Sequence, residues 1–155
     1  MNKLIFLAVA LGLSSYSFGA KWTYATSGNL ESFYIDRDFY NYNAKNNTVD
    51  VWTKSVKKKV YVDEFYTSTK ALYRYSCVNK ESKTLAFIEY DEQGISLRSS
   101  TKPQGEFSLI FPDSIGEGIW SVVCGAKGKG FKFTKSQLET IPADEFSKMK
   151  KDLGL

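Results

Sequence analysis

The sequence predicts an α+β domain: an antiparallel β-sheet of about six strands packed by a C-terminal helix, with one disulfide. Three observations lead there. From Trp22 to Ser99, short runs rich in Tyr, Val, Trp and Thr alternate and end at Gly, Asn or Asp turn signals. After Pro112 the apolar spacing changes to that of a helix. The chain holds two cysteines, Cys77 in the last well-formed tyrosine strand and Cys124 at the end of the predicted helix. With 155 residues, 43% hydrophobic and 25% charged, the chain suits one globular core.

The elements follow in order. Lys3 and the apolar run Leu4–Leu13 precede the small residues around Ser17-Phe18-Gly19. Such a run is far short of the roughly 20 residues that span a bilayer as a helix, and the pattern is that of a secretory signal peptide. Residues 1–20 are therefore expected to be a leader, with the mature chain starting at Ala20 or Lys21. No cysteine lies near the cleavage region, so a lipid anchor is not expected and the protein is read as periplasmic or secreted.

The mature chain opens with Trp22–Ala25, closed by Ser27-Gly28-Asn29. Phe33–Asp36 and Phe39–Tyr42 follow as two runs separated at Arg37-Asp38, and then the turn Asn43–Asn47. Val49–Lys54 alternates at period two, and Val60–Val62 is a partial strand or ordered loop. Ala71–Cys77 places Tyr73, Tyr75 and Cys77 on one face and Leu72, Arg74 and Ser76 on the other. Thr84–Tyr90 and Ile95–Ser99, joined through Asp91-Glu92-Gln93-Gly94, form the clearest hairpin. Such short connections require antiparallel pairing.

Ser114 and Glu117 fit a capping box, and Ile115, Ile119, Val122 and Val123 share a helical face. Gly116 and Gly118 each weaken this helix by about 1 kcal/mol, so it needs tertiary support. Export favours joining Cys77 to Cys124, which would pin the helix end to the tyrosine strand. Without a Cys-x-x-Cys spacing, a structural bond is favoured over a redox pair. Residues 21–125 thus form the β-rich domain. Residues 126–155 form a Gly/Lys loop and an extension with a short helix over Pro142–Leu153.

The chain contains no histidine, which excludes Ser-His-Asp and Cys-His catalysis, His-ligated zinc and a histidine pH switch. Glu89 and Asp91 could share a strand face as a carboxylate pair, but Asp91 reads better as the cap of its turn. Gly125–Gly130 lacks the Lys-Ser/Thr that a phosphate loop requires. No cofactor and no metal site is expected, and the protein is read as a non-enzyme.

Binding is better supported. Lys54, Lys57, Lys58 and Lys59 form one basic cluster, and Lys127, Lys129, Lys132 and Lys135 another, interleaved with Trp52, Tyr61, Phe131 and Phe133. Sulfated chains or lipid phosphates are the matching partners. With a net charge of +4, solvation of a loop and protection of an edge strand are the favoured roles. A pI of 8.9 and the absence of a recognition motif exclude nucleic acid. Tyr34, Tyr40 and Tyr42 alternate onto the expected solvent face as candidate contact residues.

The ordered set Trp22-x-Tyr24, Phe33-Tyr34-Ile35-Asp36, Val49-x-Val51-Trp52-x-Lys54, Tyr75-x-Cys77, Glu89-Tyr90-Asp91-x-x-Gly94, Ile110-x-Pro112-x-Ser114-x-x-Glu117 and Cys124 resembles the surface-adhesin protein E family of Gram-negative bacteria. The resemblance spans Lys21 to Cys124. It implies the sheet-and-helix fold, the Cys77–Cys124 bond and an exported, non-catalytic protein that adheres to host matrix or serum proteins. The lipid-anchoring cysteine implied for the family's surface display is missing, and the Gly/Lys stretch and tail extend past the shared core. The alternative is a periplasmic accessory or inhibitor protein that binds an envelope component or enzyme.

Overall fold

The structure, a computed structural model, describes residues 19–58, 67–127, 142–144 and 147. Within them the chain runs β1 (Trp22–Ser27), β2 (Glu31–Asn43), β3 (Thr48–Lys57), β4 (Ser68–Ser76), β5 (Glu81–Tyr90), β6 (Ser96–Ser100), β7 (Gln104–Leu109) and α1 (Ile115–Ala126). Every strand pairing is antiparallel. The strands form one sheet in sequential order from β1 to β6, with β7 also paired to β5. This meander is what short turns between alternating segments dictate.

β6 and β7 share one side of β5. β6 pairs with Phe87–Tyr90, and β7 pairs with the stretch from Glu81 to Thr84. They behave as one edge strand interrupted at Thr101-Lys102-Pro103, where proline offers no amide to a ladder. β7 was not singled out in the sequence. The preceding hairpin turn is as expected. The Asp91 carboxylate accepts from the amides of Gln93 (3.0 Å) and Ile95 (2.7 Å). Gly94 takes φ +79°, a conformation that favours glycine.

α1 packs mainly on β1, β3 and β4, so one face of the sheet is inner and the other outer. Val49 lies opposite Tyr75, Val51 opposite Tyr73, and Thr53 opposite Ala71 on the inner face. Ile35, Val49, Val51, Val122 and Val123 are fully buried. Each such side chain contributes about 1.5–3 kcal/mol of hydrophobic stabilisation. The helix starts at Ser114, whose hydroxyl accepts from the Glu117 amide at 3.2 Å. The return bond departs from the capping box, because the Glu117 carboxylate accepts from the Asp113 amide (2.6 Å) and pairs with Lys80. Gly118 sits in the helix where its neighbour is closest: a Cβ there would stand 3.1 Å from Thr26 Oγ1.

One departure from the sequence reading concerns β2. The two expected runs are one 13-residue strand, with a bulge where Arg37-Asp38 suggested a break. Ile35 pairs with Thr53 but Tyr40 pairs with Val51, so β2 spends five residues where β3 spends two. The Asp36 carboxylate accepts from the amides of Lys21 (3.1 Å) and Asp38 (3.0 Å) at this bulge. Cys77 and Cys124 are bonded, with Cα atoms 5.5 Å apart. Val60–Val62 and the leader up to Phe18 lie outside the described residues, as does most of the Pro142–Leu153 segment.

Candidate binding surfaces

The residues proposed from sequence are not gathered in one place. β2's three-residue excess is odd, so it reverses the alternation and turns Tyr40 and Tyr42 to the inner face. This corrects their expected solvent placement. Both pack against the core, where the Tyr40 hydroxyl donates to the Val123 carbonyl (2.8 Å) and that of Tyr42 to Asn47 Oδ1 (3.0 Å). Tyr34 stays on the outer face, edge-on to Tyr24 with ring centroids 6.0 Å apart.

Lys54 and Lys57 lie near the end of β3, where Lys57 pairs with Glu31, and the Lys58 ammonium donates to the Gly28 carbonyl at 2.7 Å. Lys127 instead caps α1 in the left-handed region, φ +36°. The disulfide holds α1 there against the opposite end of β3, since Cys77 follows Ser76 and Ser76 pairs with Thr48. Those ends are about 30 Å apart along the strand. Lys59, Lys129, Lys132 and Lys135 lie outside the described residues.

Two surfaces stand out instead. The first is the β6–β7 edge. Among the described residues neither strand pairs with anything but β5. Along it Ile95 (62% exposed), Leu97, Phe107, Leu109 (69%) and Phe111 (75%) present apolar side chains to solvent. Val78, in the turn between β4 and β5, adds to the Leu109 end, because Leu109 pairs with Glu81 and the Ile110 amide donates to the Lys80 carbonyl. Two short strands and Pro103 blunt this edge for strand pairing, so it is the apolar side chains rather than the backbone that it offers a partner. The period-two row Phe107, Leu109, Phe111 was the sequence signal for it.

The second is a cleft of about 250 Å³ on the inner face beside the first turns of α1. Ile115, Gly116 and Ile119 form one wall, and Phe33, Ala71, Tyr73 and Tyr75 give it an apolar floor. Hydroxyls of Thr53, Ser55, Thr69 and Ser82 line the rest, and Thr53 donates to the Ala71 carbonyl at 3.3 Å. Burial, with Tyr73 adjacent, pushes the Tyr75 phenol far above its ordinary pKa, so it stays neutral. The cleft therefore offers apolar contact and neutral hydrogen bonds. The carboxylates considered from sequence are engaged elsewhere: Glu89 holds Arg98 through two bonds of 2.5 and 2.8 Å, and Asp91 caps its turn. Among the described residues no three His, Cys, Asp or Glu side chains gather as metal ligands.

Fold and surface together define a class: a small sheet-and-helix binding domain, tied by one disulfide and open along one apolar edge. A family model described as Surface-adhesin protein E matches residues 22–125, and the chain belongs to that family. No curated protein matches the chain. Among solved structures it is similar to that of Haemophilus influenzae protein E, at 18% identity over 72% of this chain and 89% of that one, with a TM-score of 0.51. The crystal structure of protein E from non-typeable Haemophilus influenzae is 16% identical, over 84% of this chain and 88% of that one, with a TM-score of 0.49. The 0.51 superposition supports the fold.

Proposed function

We propose that this protein is an exported surface adhesin that binds host matrix or serum proteins without catalysis, through the β6–β7 edge and its flanking apolar side chains. The observation that carries the reading is the family match across residues 22–125, a span that includes all seven described strands and both bonded cysteines. The exposed apolar edge supports it, as does the engagement of Glu89 and Asp91 in structural bonds. The apolar run Leu4–Leu13 supports export. Among the described residues no helix is long and apolar enough to cross a membrane. Family membership favours this reading over a periplasmic accessory protein.

The test is solid-phase binding of the mature protein to a panel of purified matrix and serum proteins. Saturable binding above that of an unrelated basic protein is expected for at least one of them, and its absence from the whole panel refutes adhesion. The double variant Leu109→Lys/Phe111→Ser alters two solvent-facing side chains and should weaken binding about tenfold or more, as loss of an interface anchor does. Full binding by that folded variant would move the contact surface away from this edge.

A further inference from the structure

A groove of about 230 Å³ crosses the outer face of the sheet, opposite α1. Asn41 pairs with Asp50, and Asp50 with Arg74, so their side chains stand in one row across β2, β3 and β4. Asn43 and Thr48 form a second, parallel row, and Asn46 closes the end from the β2–β3 turn. Phe107 of β7, 39% exposed, supplies an aromatic wall. None of the groove's residues belongs to the hydrophobic core cluster.

We propose that this groove binds a neutral sugar, one pyranose unit of a glycan. Four features select that chemistry. Arg74 donates from Nε and Nη2 to the two Asp50 oxygens at 2.7 and 2.8 Å, which fixes both planes and cancels their charges. A guanidinium whose charge is already paired gives an anion little advantage, while the remaining N–H groups and carboxylate lone pairs are available to hydroxyl partners. The Asn43 carbonyl oxygen accepts from the amides of Lys45 (3.0 Å) and Asn46 (3.3 Å), so its NH₂ group is left to donate. With Asn41 and Asn46, the groove thus presents planar amides that donate and accept side by side, the pattern that adjacent ring hydroxyls complement.

The Phe107 ring fits the C–H face of a pyranose, which is the apolar side of an otherwise polar ligand. Size agrees as well. The volume falls below the roughly 300 Å³ at which drug-sized sites begin and has room for a single sugar ring. The groove's polar walls and open rim do not suit a purely apolar ligand. This inference goes beyond adhesion to proteins and rests on the Asn41–Asp50–Arg74 row, with Phe107 shared between the groove and the apolar edge.

The experiment is an amide NMR titration of isotope-labelled mature protein with the methyl glycosides of glucose, galactose, mannose and N-acetylglucosamine. Saturable shifts with millimolar affinity are expected for at least one, centred on Asn41, Asn43, Asn46 and Arg74. Desialylated glycan released from serum glycoprotein and a soluble peptidoglycan fragment, added separately, distinguish a host source from a bacterial one. Asn41→Ala and Asp50→Asn should each weaken the affinity at least tenfold while the remaining spectrum stays folded. Absence of saturable shifts with every sugar overturns the proposal. So do shifts centred elsewhere, unchanged affinity in both folded variants, or a stronger response to inorganic sulfate. The protein-binding assay is read independently, so failure of either result leaves the other interpretable.

Discussion

Replacing Cys77 and Cys124 together with alanine tests how the sheet and helix are held. The bond joins residues 47 apart in sequence, the first just after β4 and the second near the end of α1. The closed loop contains β5, β6, β7 and most of α1. A covalent closure of that length stabilises by about 4 kcal/mol in the chain-entropy treatment, by restricting the unfolded chain. The helix retains other attachments. Ile119, Val122 and Val123 remain buried, the Trp120 indole donates to the Ser76 carbonyl at 3.0 Å, and Lys80 pairs with Glu117. The variant should therefore fold, with its helix docked and its stability lower by roughly 3–4 kcal/mol. At about 4 °C per kcal/mol for a domain of this size, the Tm should fall by about 15 °C. Urea and thermal unfolding followed by circular dichroism measure both quantities, and the reduced wild type should unfold close to the variant. A loss under about 1 kcal/mol at unchanged urea dependence would refute the loop-closure reasoning.

Other perturbations address separate contacts. Tyr40→Phe removes the hydrogen bond to the Val123 carbonyl and should cost about 1 kcal/mol in denaturant unfolding; no change would mean that the inward rotation of Tyr40 is energetically idle. Gly116 and Gly118 should diverge. Gly116→Ala meets its nearest atoms at 3.5 Å and should stabilise by up to about 1 kcal/mol through helix propensity. Gly118→Val, crowded against Thr26, should destabilise by about 1–3 kcal/mol, and equal effects at both sites would contradict the close approach to β1. The hydrogen bond from Lys80, then that from the Asp113 amide, holds the Glu117 carboxyl below its usual pKa. A lowered folded-state pKa stabilises above the unfolded value and is lost as pH falls through the folded one. The stability gap between wild type and Glu117→Gln should thus be constant near neutral pH and shrink on acidification; a gap that widens would reverse the sign.

Much of the architecture was legible because it depends on local chemistry. Period-two runs and short polar turns specified β1, β3, β4 and the β5–β6 hairpin, and Ser114 with Glu117 marked the start of α1. The exceptions share a cause. Alternation predicts which face a side chain takes only while register is unbroken, and the Asp36–Phe39 bulge breaks it. Tyr40 and Tyr42 consequently left the solvent side for the core. β7 was overlooked because Thr101-Lys102-Pro103 reads as the end of a strand, although the chain resumes pairing with the same partner beyond it. The basic clusters were adjacent in sequence within themselves, but distance along β3 separates Lys54 and Lys57 from Lys127.

The amino-acid sequence by itself determined the antiparallel pairing, the helix start and the cysteine pair. It also excluded histidine-based chemistry. Each of these is set within a few residues, or by the presence of a residue type. Only the tertiary structure decided which side chains meet. The Asn41–Asp50–Arg74 row and the cleft beneath Ile115 are assembled from elements separated in the chain. Their composition follows from register and from how far α1 reaches across the sheet. Neither quantity is local, since one bulge inverts a face and a helix covering β1, β3 and β4 leaves the β5–β7 edge open.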